Sequence, residues 1–262
     1  MTLEDRLSFA EAKKAELASF FQNDVWEIDD QSSAPEGRVL KAHFILKWSK
    51  HADGTPRAKA RLITQGFRDP DALAGVLTTE SPTLSRLARN YILVIAAMNG
   101  WLTFSADIST AFLQGKEHEA SRTLWIRLSN EANRMLGLPS DGSKLLRLKK
   151  PMYGLCDAPR AWFLEAKERL ISLGAQQHPL DACLYLLYDH KAPYEQWTTT
   201  TDSKGNQHTS PPLCAIFGLH VDDIIGCANI NNSTYQHFKT QLQERFNFRT
   251  WEEGVSFEYY GA

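Results

Sequence analysis

Two neighbouring carboxylates, Asp222 and Asp223, interrupt an apolar, β-prone stretch running from Cys214 to Cys227. An acidic pair in that setting reads as the turn of a tight hairpin. Asp is a common turn residue, and a solvated turn is the plainest account of the pair taken alone. The chemical account is that facing carboxylates repel unless a cation neutralises them, and hard cations such as Mg²⁺ favour oxygen ligands. Asp107 bears on the choice, because it falls near the end of a stretch, Trp101 to Ile108, that alternates like a strand. If the two elements are neighbours in one sheet, the three carboxylates meet. Such a set holds two divalent ions for in-line phosphoryl transfer, one activating a hydroxyl and one stabilising the leaving pyrophosphate.

Charge is distributed unevenly around this acidic core. Residues 1–36 carry nine acids against Arg6, Lys13 and Lys14, whereas residues 37–68 carry eight basic residues and one acid, Asp53. The basic segment reads as a β-hairpin, Val39 to Trp48 and Arg57 to Gln65, turning at Ala52-Asp53-Gly54-Thr55. Alternation puts Lys59 and Arg61 on one face of the second arm. Lysines also protect sheet edges, so a solvated edge hairpin stands beside a mobile flap that grips phosphates.

The elements that must position these groups follow from periodicity and caps. Thr2 to Gln22 reads as a helix with Thr2 and Asp5 as a capping box, and Leu7, Ala10, Lys14, Leu17 and Phe21 near one face. Val25 to Ile28 is a short strand. Residues 69–83 read as a loop. Leu84 to Met98 is a helix starting near Ser81 or Thr83 and stopped by Gly100, with Leu87, Tyr91, Ile92, Val94, Ile95 and Met98 directed to the core. Leu124 to Leu128, Leu145 to Leu148 and Ala182 to Tyr188 are strands. Asp157 caps a helix to Leu173, and Asn231, Asn232 or Ser233 caps another to Phe246. Residues 189–212 are polar, a long hairpin tip or a disordered loop. Phe248 to Gly261 returns to the sheet. This order implies an α+β layer.

Bulk composition is that of an ordinary globular chain: 262 residues, 43% hydrophobic, 23% charged, net charge −2. Cys156, Cys183, Cys214 and Cys227 form no CxxC or zinc spacing. No apolar run is long enough to span a membrane, and the polar, acidic first residues predict no signal peptide.

Six segments, in order, resemble the reverse transcriptase of copia-type (Pseudoviridae) long-terminal-repeat retrotransposons. They are Phe9 through Glu27, Lys59 to Phe67, Ser81-Pro82, Ala106 to Gly115, Met152 to Trp162, and His220 to Asp223, the last resembling the family's YVDD. The resemblance implies a right-hand polymerase: an N-terminal helix and β-hairpin fingers over 1–100 with a palm helix from about 84, and a palm over 101–262 whose antiparallel sheet is backed by helices. A fingers insertion is expected at about 124–150 and a polar loop at 189–212, with thumb and RNase H absent.

It implies site roles as well. Asp107, Asp222 and Asp223, with the carbonyl of Ile108, would hold two Mg²⁺ or Mn²⁺ ions; Asp222 is expected as the closer ligand and Asp223 as its support. Thr110 and Ala111 would offer backbone N–H groups to the triphosphate. Phe112 would exclude a 2′-OH. Tyr153 and Gly154 would shape the nucleotide pocket, and Lys59 and Arg61 would hold its phosphates. His220, Val221 and Arg160 would lie toward primer or template, with Trp162 packing in the palm. Partners would be an RNA or DNA template with primer, dNTPs, and the integrase and RNase H domains of a parent Pol polyprotein, with no membrane. Cytoplasmic virus-like particles, or the nucleus, would be the location. The chain departs from the pattern at His220, where the family has Tyr, and at Cys156-Asp157, where it has Lys-Gln. A catalytically inactive or domesticated nucleic-acid-binding relic is the alternative. A two-metal nuclease is a third, less economical reading, because Phe112, Tyr153 and the basic hairpin have no use there.

Overall fold

The computed structural model describes residues 2–50, 53–119 and 121–254. In chain order the elements are α1 (Leu3–Gln22), β1 (Trp26–Asp30), β2 (Val39–Lys50), β3 (Pro56–Thr64), α2 (Pro70–Leu73), α3 (Arg86–Asn99), β4 (Leu102–Ile108), β5 (Trp125–Arg127), α4 (Asn130–Met135), β6 (Lys144–Leu148), α5 (Ala158–Ser172), β7 (Gln176–His178), β8 (Asp181–Tyr188), β9 (Thr198–Thr201), β10 (Gln207–Ser210), β11 (Leu213–His220), β12 (Asp223–Ala228), α6 (Ser233–Arg245) and β13 (Phe248–Gly254). The class is α+β. The described residues of Met1–Ser81 and Phe112–Glu165 form one compact unit, and those of Pro82–Ala111 and Ala166–Ala262 a second.

In the first unit the sheet order is β1-β6-β5-β2-β3, antiparallel except for the parallel pair of β2 with β5. The long β2–β3 hairpin is the expected basic one. Its turn keeps Asp53, whose side chain accepts from the Thr55 amide, and Gly54 at φ +84°. Ala52 lies outside the described residues. The core gathers Leu17, Phe20, Trp26, Leu62, Leu124 and Ile126.

Helix α1 opens with the expected Thr2–Asp5 capping box, but it buries a different face. Phe9, Leu17 and Phe20 are buried, whereas Leu7 and Phe21 are exposed. The hairpin selects that face. Glu16 Oε1 accepts from the Leu62 amide on β3 at 2.9 Å, and the Phe9 ring lies 5.0 Å from that of Trp48. Beside them Lys13 pairs with Glu131 at 2.7 Å. Helical spacing alone could not choose between neighbouring faces, since it carries no information about what the helix meets. The predicted loop at 69–83 contains α2, a single turn opened by Pro70, with the Asp71 amide capped by the Asp69 carboxylate.

The second unit holds an all-antiparallel six-stranded sheet, β13-β4-β12-β11-β8-β7. One face is aromatic. Phe104 stacks on Trp251 at 5.3 Å and approaches Tyr235 of α6 at 6.0 Å, while Phe217 meets Phe238 of α6 at 5.4 Å. Gly226 sits between Phe104 and Phe217, where a Cβ would collide with the Phe104 ring and the Phe217 Cβ.

Helix α3 starts two residues later than predicted, capped by Ser85, and ends at Gly100 in the left-handed conformation, as expected. Its buried residues are Ala88, Ile92 and Ala96; Ile95 is half-buried, but Leu87 (80% exposed), Tyr91, Val94 and Met98 (77% exposed) face outward. The two alanines explain the reversal. They let the backbone close on the sheet, where the Cys227 Sγ donates to the Ile92 carbonyl at 3.4 Å. Bulk apolar side chains would hold it off. The polar 189–212 segment forms the exposed β9–β10 hairpin. Asn232 caps α6, and the return strand β13 is described as far as Gly254.

Candidate active site

The carboxylates come together in the second unit. Strands β11 and β12 are joined by a two-residue turn, since His220 pairs with Asp223 and leaves Val221 and Asp222 between them. Val221 takes φ +59°, uncommon for a β-branched residue and the kind of strain found at functional turns. Asp222 therefore lies in the turn, outside the strand alternation that governs Asp223. On the other side of β12, Asp223 pairs directly with Asp107 of β4. The Ile108 amide donates to the Asp222 carbonyl at 2.7 Å, locking the turn to the end of β4.

Alternation explains why these acids are accessible. Phe104, Ala106 and Ile108 of β4 are buried on the aromatic side, so Thr103, Ser105 and Asp107 point to the opposite face. Directly opposed like charges destabilise one another. Burial, with the neighbouring carboxylates of Asp222 and Asp107, pushes the Asp223 carboxyl up to about 6, and Arg249 pulls the other way. Arg249 Nη1 donates to Asp107 Oδ2 at 3.2 Å. Sequence pattern carries no signal for Arg249, because its placement depends on an irregularity in β13. His220 is half-buried beside the turn, with Nδ1 enclosed and lacking a hydrogen-bond partner among the described residues.

Beyond Asp107 the chain turns through Thr110, at φ +51°, into a short 3-10 turn, Ala111–Gln114. A left-handed residue followed by a helical turn orients successive amides to one side, the arrangement that binds anions.

Phe112, Tyr153, Gly154, Lys59, Arg61 and Arg160 belong to the first unit. Tyr153 is the centre of a packed group: the Arg61 guanidinium lies 4.4 Å from its ring centroid, and the rings of Phe112 and Phe20 lie at 5.8 Å and 6.3 Å. The Tyr153 carbonyl accepts from the Thr64 amide at 2.9 Å. Gly154, at φ +96°, lets that turn press against the Thr64 backbone, and Gly66 abuts Gly154 in return. Of the two basic residues on β3, Arg61 is half-buried against Tyr153 and Lys59 is exposed. Arg160 Nη1 donates to the Glu80 carbonyl at 3.0 Å, and Trp162 is buried.

Next to this group lies an ionic cluster that sequence reading missed apart from Asp157. Arg122 pairs with Asp69 (2.7 Å), Asp71 (2.9 Å) and Asp157 (3.0 Å), and Arg38 also holds Asp71 (2.6 Å). The Asp157 side chain, expected as a helix cap, is thus engaged by Arg122. Arg122 Nε donates to His118 Nδ1 at 3.2 Å. Burial pushes the His118 imidazole down to about 4, so it is neutral with its proton on Nε2. Lys116, His118, Arg122, Asp157 and Arg160 line an open cavity of about 630 Å³. These partners lie far apart in sequence, so spacing could not reveal them.

Comparison with known proteins agrees with the fold class. Residues 23–193 match the family described as Reverse transcriptase (RNA-dependent DNA polymerase). The Retrovirus-related Pol polyprotein from transposon RE2 of Arabidopsis thaliana is 27% identical over 183 residues, 68% of this chain and 12% of that protein. Its counterpart from transposon RE1 is 27% identical over 156 residues, 59% of this chain and 10% of that protein. The Truncated transposon Ty1-A Gag-Pol polyprotein of Saccharomyces cerevisiae is 28% identical over 173 residues, 64% of this chain and 13% of that protein. The chain thus spans roughly a tenth of the length of the curated relatives it matches.

Proposed function

The chain belongs to the reverse transcriptase (RNA-dependent DNA polymerase) family, in its copia-type retrotransposon branch, and from that premise we propose that it is a fingers-and-palm polymerase core that extends a primer 3′-OH with dNTPs. The observation that carries this reading is the pairing of Asp223 with Asp107 beside a two-residue turn bearing Asp222. In this reading the basic hairpin of the first unit belongs to the fingers and the carboxylate-bearing sheet of the second to the palm.

The donor set suits hard divalent cations. Three carboxylates and the Ile108 carbonyl are all oxygen ligands, and the Asp223 carboxyl, raised by burial and then by the Asp222 and Asp107 carboxylates, is one whose ionised form a cation would favour. Among the described residues no three acidic, His or Cys side chains form a ready-made metal cage. Mg²⁺ does not require one, since it is commonly held by one or two carboxylates, waters and substrate phosphates. When bound, two such ions would lower the pKa of the attacking hydroxyl and stabilise the leaving pyrophosphate.

The protein's own residues then divide the work. Asp107 and Asp222 would hold the ions with the Ile108 carbonyl, and Asp223 would support them across the β4–β12 pair. The amides of Thr110 and Ala111 bind triphosphate oxygens. Phe112, backed by Tyr153, bars a 2′-OH from the sugar position. Arg61 and Lys59 neutralise phosphates, and the Arg61 stack on Tyr153 ties that charge to the sugar-selecting aromatic pair. His220 and Val221 border the primer end, and Arg160 faces the template. Template and primer, and the integrase and RNase H of a Pol polyprotein, are the partners of this reading.

Primer extension on RNA and DNA templates with Mg²⁺ or Mn²⁺ tests it, comparing the parent with Asp222→Asn. Template-directed extension lost in the variant supports the assignment. A parent that binds primer–template duplex but extends nothing points to the nucleic-acid-binding relic instead.

A further inference from the structure

Arg249 reaches the carboxylates through a defect in the sheet. Phe248 pairs with Ile108 and Thr250 pairs with Asp107, so two residues of β13 advance while β4 advances only one. Arg249 is the extra residue of this β-bulge. Extended back from the Thr250–Asp107 pair, the register of β13 would set Arg249 opposite Ile108, on the buried aromatic face, where a guanidinium has no place. The bulge releases it from alternation and turns it toward Asp107. Bulges recur beside active sites for this re-aiming of a side chain.

We infer that Arg249 is a displaceable counter-ion, holding Asp107 in the metal-free protein and yielding it to a divalent cation. The inference rests on the metal-binding reading of the carboxylates. Asp107 and the turn acid Asp222 both act on the charge of Asp223, and Arg249 supplies one unit of opposing charge at 3.2 Å from Asp107. The guanidinium is also well placed to leave. Its side chain is 44% exposed and that of Asp107 26% exposed, so the pair is of the surface kind that contributes little to stability. Arg249 sits on the edge strand of the sheet, which leaves it room to swing outward. Metal entry is therefore an ion exchange at Asp107 Oδ2: one guanidinium departs as the cation arrives.

Calorimetric titration of the full chain with Mn²⁺ alone tests this without reference to polymerase activity. Arg249→Gln, whose substitution on an exposed edge leaves the core intact, is expected to bind Mn²⁺ about threefold to tenfold more tightly than the parent. Arg249→Lys is expected to match the parent, and in an Asp107→Asn background the Arg-to-Gln difference is expected to vanish. Equal or weaker binding by Arg249→Gln overturns the inference while leaving the metal site standing. Absence of Mn²⁺ binding in parent and variants alike overturns the metal reading itself, and the inference with it.

Discussion

Asp107 and Asp223 face each other as direct partners across β4 and β12, with the Asp222 turn locked to the end of the same pair by the Ile108 amide. Burial first, and then the neighbouring Asp222 and Asp107 carboxylates, raise the Asp223 carboxyl to about 6, so its ionised form costs stability in the absence of a cation. A site that repels itself when empty is organised for something positive.

Asp223→Asn should therefore stabilise the metal-free protein while weakening catalysis. The folded carboxyl is raised, so its contribution to stability is present at low pH and lost as pH rises through about 6. Discounted for its half-exposed position, the gain above pH 7 is about 1 kcal/mol, a rise of roughly 2–4 °C in melting temperature. The gain should shrink as pH falls from about 6 and disappear below about 3.8, where the carboxyl is protonated in both states. Thermal melts at the two pH values check this; a variant less stable than the parent at neutral pH contradicts the repulsion argument.

Phe112→Ala should relax sugar selection. The ring lies 5.8 Å from Tyr153, which fixes it in place, and removing it opens the space that a 2′-OH needs. Relative rNTP incorporation is expected to rise by roughly tenfold or more, with dNTP use reduced far less. Single-nucleotide incorporation assays with matched dNTP and rNTP decide it, and an unchanged preference removes Phe112 from the gate.

His118 predicts acid sensitivity in the first unit. The unfolded chain takes up this proton near the ordinary value of 6.5 and the folded chain only near 4, so stability falls as pH drops from 6.5 toward 4. Arg122, Asp69, Asp71 and Asp157 surround the ring, and Asp157, raised by burial, works in the opposite sense. His118→Gln should flatten the profile across this window by up to about one proton, or about 1.4 kcal/mol per pH unit. Urea midpoints measured against pH test the slope; an unaltered slope means that another group carries it.

Legibility in the sequence followed the range of the interaction. The Thr2–Asp5 capping box, the Asp53-Gly54 hairpin, the Gly100 stop and the hairpin turn beside Asp222-Asp223 were readable because each is set by residues a few positions apart. The buried faces of α1 and α3 were not, since Glu16 answers to Leu62 on the hairpin and Ala88 and Ala96 answer to the sheet. Helix α2 was lost because one capped turn has no periodicity to detect. Arg249 and Arg122 were invisible for related reasons: a bulge shifts the parity of β13, and the Arg122 pairs join residues far apart in the chain. The carboxylates themselves became a candidate site only when Asp107 and the neighbouring motifs were set beside the turn.

Anomalous diffraction from crystals soaked with Mn²⁺, primer–template and a non-hydrolysable dNTP analogue tests the central claim most directly. The account predicts two Mn²⁺ peaks about 3.5–4 Å apart, bridged by Asp107 and Asp222. Bound nucleic acid with no metal at these carboxylates would contradict it.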